Sequence, residues 1–152
     1  MSIRRQDILG AIKTRMNGIS VAGGYHTAAG VNVFIWRTAN LDQTILPALV
    51  IRDTGQAKDQ EGESSPYSFD TWRMKVEIEV VCESGSTTDV LLRQIIADVY
   101  KAIGVDDTWG GNAITSFLSD DEMVLQDQQA KIVGGATIKF EVLYRTRKYQ
   151  EN

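Results

Sequence analysis

The sequence predicts an α+β domain: a mostly antiparallel β-sheet with two α-helices packed on one face. Three observations carry this. Trp72, Met74, Val76, Ile78 and Val80 alternate with Arg73, Lys75, Glu77 and Glu79, the two-residue period of a strand with one buried and one wet face. Ala136, Ile138, Phe140, Val142 and Tyr144 alternate in the same way with Thr137, Lys139, Glu141, Leu143 and Arg145. Two other stretches carry apolar residues at helical spacing: Ile8, Leu9, Ile12 and Met16, and later Leu92, Ile95, Ile96, Val99 and Ile103. With 152 residues and no internal repeat, residues 1–152 read as one domain around one core.

Taken in order, the first helix is expected over residues 3 to 16, capped by Ser2 and stopped by left-handed residues at Asn17-Gly18. A glycine-rich loop over residues 18 to 30 leads to a short apolar strand at residues 31 to 36. Pro47 then opens a second strand, Ala48-Leu49-Val50-Ile51-Arg52. Residues 54 to 69 are polar and acidic with little to bury, so a long flexible loop is expected there. The strand through Trp72 to Val80 follows, with Cys82 in phase with its buried face.

Hydroxyls at Ser86, Thr87 and Thr88 offer N-caps for a second helix over residues 88 to 103, with Asp89 in its first turn and Gly104 ending it. Beyond the acidic, glycine-rich link at residues 106 to 112, segments 113 to 118 and 123 to 127 flank a turn-like Ser119-Asp120-Asp121-Glu122. They read as a hairpin. Gly134-Gly135 suggests a bulge or bend before the last strand.

Catalytic chemistry finds little foothold. His26 is the single histidine and lies in Gly23-Gly24-Tyr25-His26-Thr27, without a nucleophile motif nearby. Cys82 is the single cysteine, so no intramolecular disulfide or thiolate metal cage can form, and its phase marks it as a buried structural thiol. The acidic groups Asp106-Asp107 and Asp120-Asp121-Glu122 lack the ligand spacing of a calcium loop. Gly23-Gly24 and Gly110-Gly111 belong to no phosphate-cradling motif. No catalytic residue, cofactor or metal is expected, and the chain reads as a non-enzyme.

A net charge of −4 gives no field that would hold a phosphate backbone, so tight nucleic-acid binding is not expected. No apolar run reaches the ~20 residues of a membrane span, and the first residues lack the pattern of a secretory signal. Most of the aromatic rings read as core. Trp109, in Asp-Asp-Thr-Trp-Gly-Gly, reads as an exposed anchor for a partner. The stripe Arg73, Lys75, Glu77, Glu79 is either a solvated face or a self-complementary interface.

The order of these elements, with the phrases Pro47 to Arg52 and Phe140-Glu141-Val142-Leu143-Tyr144-Arg145-Thr146, resembles the tail terminator proteins of long-tailed phages and prophages, lambda-like minor tail proteins included. The likeness spans nearly the whole chain. It implies a structural subunit that forms a six-fold ring, caps the tail tube, ends tube polymerisation and offers the surface that the head joins. Implied partners are further copies of the chain, the tail tube protein and a head-tail connector, and the implied setting is the bacterial host cytoplasm during assembly and then the virion tail. The free form is left open between monomer and ring.

Candidate subunit-interface residues are Arg73, Lys75, Glu77, Glu79, Arg145 and Arg147. Asp59, Glu61, Glu63 and Tyr67 are candidates for a loop that touches the tube. A head-tail connector or tail completion protein is the alternative within the same class, and a small binding module lies outside it.

Overall fold

The computed structural model of the protein describes residues 3–37, 45–59, 69–128, 131–147 and 149–150. Two helices, α1 (Arg4–Asn17) and α2 (Thr88–Val105), lie with five strands, β1 (Val33–Ile35), β2 (Ala48–Lys58), β3 (Phe69–Glu83), β4 (Thr115–Gln128) and β5 (Lys131–Arg147). The strands form one sheet in the order β1-β2-β3-β5-β4. β1 runs parallel to β2 and every other pair is antiparallel. The fold is therefore the α+β arrangement read from the periodicities.

One core lies between the sheet and both helices. Ile8, Leu9, Ile12 and Met16 of α1 and Leu92, Ile95, Val99 and Ile103 of α2 meet Leu49 and Ile51 of β2, Met74 to Cys82 of β3 and Ala136 to Tyr144 of β5. These aliphatic and aromatic side chains leave water almost completely, at about 1.5–3 kcal/mol each, and that burial drives the two layers together. Trp72 is half-buried at the margin, its indole N–H donating to Thr146 Oγ1 at 2.9 Å.

Several local expectations are corrected. Ser2 lies outside the described residues; the N-cap of α1 is Ile3, with no side-chain cap. Gly18 is right-handed at φ −81°, and α1 closes instead through Gly18 N–H on Arg15 O and Ile19 N–H on Met16 O, both 3.1 Å. Thr87 makes no capping bond to α2. Thr88 is buried within the first turn, its hydroxyl 2.7 Å from Ile132 O and accepting Ser84 N–H at 2.9 Å, so the hydroxyl ties the helix to β5. Gly104 is passed through to Val105, because an exposed helical glycine costs only about 1 kcal/mol.

Gly134 and Gly135 form no bulge; they pair in regular register with Cys82 and Val81. The physical need at Gly134 is space, since a Cβ there would sit 2.8 Å from the Thr88 methyl and 3.4 Å from Leu92 Cδ2. Both ends of the loop expected over residues 54 to 69 are strand instead, because β2 extends to Lys58 and β3 begins at Phe69, and residues 60 to 68 lie outside the described residues. Polar side chains there do not prevent pairing: the backbones of Ala57 and Lys58 match Arg73 and Trp72.

The hairpin expected across residues 113 to 127 is absent. Residues 115–128 form one strand that pairs with β5, with a register shift between Leu118 and Asp120 that leaves Ser119 as the extra residue. The acidic run signals exposure, which an edge strand supplies as readily as a turn does.

A candidate assembly surface on the outer sheet face

The face of the sheet turned away from the helices carries the charged stripe. Arg73, Lys75, Glu77 and Glu79 all stand on it, and register decides what they meet on β5: Arg73 lies opposite Leu143, Lys75 opposite Glu141, Glu77 opposite Lys139 and Glu79 opposite Thr137. β2 adds Arg52 beside Glu77, and β4 adds Asp120 beside Lys139. One row across four strands therefore reads Arg52, Glu77, Lys139, Asp120, with alternating sign. The next row holds Lys75 and Glu141, of opposite sign to Glu77 and Lys139 below them.

Some of these charges are paired diagonally. Arg52 Nη1 donates to Glu79 at 2.7 Å and Arg73 Nη1 to Glu141 at 3.0 Å, while the Arg73 guanidinium lies 5.4 Å from the Phe117 ring centre. Lys75, Glu77, Lys139 and Asp120 make no ion pair within 4 Å among the described residues.

Two β-bulges frame this patch. On β2 the register slips between Asp53 and Gly55, beside Val76 and Lys75; on β4 it slips between Leu118 and Asp120, beside Phe140 and Lys139. Val76 and Phe140 are themselves register partners. The segments Lys75-Val76-Glu77 and Lys139-Phe140-Glu141 thus run antiparallel about a local two-fold axis through the sheet, and the same axis relates Thr54 to Ser119. Between the bulges lies a depression of about 400 Å³, lined by Thr54, Ser119, Asp120 and the two Lys-Glu pairs.

The edge is the second feature. β4 closes the sheet with no strand on its far side among the described residues. Its side chains are exposed on both faces: Phe117 and Val124 outward, Leu118, Met123 and Leu125 on the helix side, at 37 to 58%. Tyr100 of α2 donates its hydroxyl to Asp121, and burial first, then Asp121 and Asp120, pushes that phenol up to about 12.

At one end of the sheet, β3 and β5 run past β4, which begins opposite Leu143. Arg145 and Arg147 are exposed there and share a depression with Phe69 and Arg4, so the two arginines stand apart from the Lys-Glu patch. Asp59 is half-buried and its N–H donates to Thr71 O at 2.9 Å, which places it at the end of the β2–β3 pairing. Glu61, Glu63 and Tyr67 lie outside the described residues.

Trp109 is not an exposed anchor: it is fully buried. Its backbone is left-handed at φ +52°, followed by Gly110 and Gly111 at +73° and +86°, which turns the indole inward. The ring packs against Phe140 at 6.1 Å, its N–H donates to Ser116 Oγ at 2.8 Å, and the Arg15 guanidinium covers it at 5.0 Å. Asp106 holds the turn through Thr108 and the Gly110 N–H, and these bonds keep its carboxyl below the usual carboxylate range. Among the described rings, Trp36, Phe69, Phe117 and Tyr149 depart from the core reading, at 49%, 48%, 44% and 90% exposed.

Asp98 was not singled out by sequence, yet it is fully buried. It accepts His26 N–H at 2.9 Å, Thr27 N–H at 2.8 Å and Thr27 Oγ1–H at 2.6 Å, pinning the glycine-rich loop onto α2. Its phase among Ile95, Val99 and Ala102 on the apolar stripe was the available signal. The His26 side chain is exposed on that loop, and burial pushes the Cys82 thiol up to about 11. Among the described residues no group of three His, Cys, Asp or Glu side chains could hold a metal ion. No protein-family model and no curated protein matches the chain.

Proposed function

We propose that this chain is a structural subunit of a long-tailed phage or prophage tail, which assembles as a ring on the end of the tail tube, stops its polymerisation and presents the surface that the head joins. The observation that supports it most is the long strand β4, which has no strand on its far side among the described residues and whose exposed Phe117, Leu118, Met123, Val124 and Leu125 suit a subunit that completes its burial on assembly. A contact from this edge to a different surface of the next copy is heterologous, the kind that closes into a ring. The resemblance of the sequence's element order to that of tail terminators supplies the rest. Two of the groups that could serve catalysis are used structurally: Cys82 is buried with a raised pKa, and Asp98 holds a loop.

The test is the mass of the purified chain by light scattering, alone and with purified tail tubes, followed by negative-stain imaging of tube ends. Ring-sized species or capped tubes are expected. Binding to head particles in preference to tubes would assign the chain to the connector side, and indifference to both would sink the tail reading.

A further inference from the structure

We propose that the outer sheet face is a docking surface for a second copy of this chain, with the two sheets packed face to face about a two-fold axis that runs along the strands. The argument is the charge pattern. Such an axis reverses the order of the strands, so β2 lies over β4 of the other copy and β3 over β5. Row by row, Arg52 then faces Asp120, Glu77 faces Lys139 and Lys75 faces Glu141, and each contact occurs twice. Glu79 faces Thr137, so no two like charges of these rows meet.

An arbitrary charged face does not have this property. It follows here from the antiparallel Lys-Val-Glu and Lys-Phe-Glu segments and from bulges at matching levels, which hold Arg52 and Asp120 in the same row. Four of the six charged residues lack an ion pair within 4 Å among the described residues, so Glu77 and Lys139 meet as unengaged groups, while Asp120 and Lys75 meet Arg52 and Glu141, which also hold Glu79 and Arg73. The depression of about 400 Å³ gives the long Lys and Glu side chains of both copies room to interleave.

All four strands share the rows from Arg73 to Glu79 before the outward β2 side chains become buried at Val50 and Ala48. Four strands spaced about 4.8 Å apart over those rows, at about 3.3 Å per residue, cover about 440 Å² per copy. The total of about 900 Å² lies below the standard range of specific interfaces, so the pair is weak and salt-dependent. It needs none of the β4 edge contacts of a ring and stands or falls apart from the tail reading.

Sedimentation equilibrium of the full chain alone, at about 50 mM and about 500 mM salt, tests it. A dimer whose Kd rises at least about tenfold at high salt is expected. Lys139→Glu and, separately, Glu77→Lys place like charges opposite each other twice, and each should weaken the dimer by about tenfold or more. The double exchange restores opposite signs across the axis and should return the Kd to within about threefold of the parent. Melting temperatures of all three variants report whether the fold is retained, and either single variant suffices. A chain that stays monomeric at low salt, or an oligomer of any size whose affinity ignores both the salt and the charge exchange, overturns the proposal.

Discussion

Trp109 shows how one residue joins three elements. Its ring lies under Arg15 of α1 and against Phe140 of β5, and its N–H reaches Ser116 of β4. Trp109→Ala should destabilise the fold by about 3–5 kcal/mol, the range for emptying a large aromatic site, measured by denaturant unfolding. Asp106, three residues earlier, gives a pH signature. Its folded pKa lies below the ordinary 3.8, so its stabilising bonds are fully present above that value and are lost as pH falls through the lower folded value. Asp106→Asn should therefore lower the melting temperature at neutral pH, with the difference from the parent shrinking below about pH 4. The indole's burial was not legible in Asp-Asp-Thr-Trp-Gly-Gly, because acids and glycines mark a surface turn and nothing local tells that a left-handed backbone turns the ring inward.

At the scale of elements, the parts that could be read were those with an unbroken period. Ile8, Leu9, Ile12 and Met16 are all buried, as are Met74, Val76, Ile78 and Val80 between charged neighbours. The two halves of β4 were read as strand segments, but their continuity was illegible for a definable reason: Ser119 changes the parity, so Ser116 and Leu118 share a face with Asp121 and Met123, and no single alternation runs through the strand. An edge strand wet on both sides has no buried face to impose one. The candidate surface was half legible: alternation put Arg73 to Glu79 on one face, while Lys139, Glu141, Asp120 and Arg52 join them only through long-range register. The close approach of α2 to β5 was equally hidden, since it depends on the missing side chain at Gly134. Gly134→Ala should cost about 1–3 kcal/mol by forcing Thr88 away, read from the shift in unfolding midpoint.

For the whole molecule, the two-layer build covers one face of the sheet with the helices and leaves the charged rows of the other face uncovered by them, while the acidic chain of net charge −4 offers little field for phosphate. The outer rows have a kinetic consequence. Arg52, Lys75 and Lys139 cancel Glu77, Glu141 and Asp120, so the patch carries no net charge and its potential falls away within a few ångströms. Two copies approaching through water are not drawn together from afar. The patch itself adds no steering, so association on this face should not exceed the unsteered rate of about 10⁵–10⁶ M⁻¹s⁻¹. Added salt should act on the lifetime of the pair once formed, so that in stopped-flow measurements it is the dissociation rate that climbs.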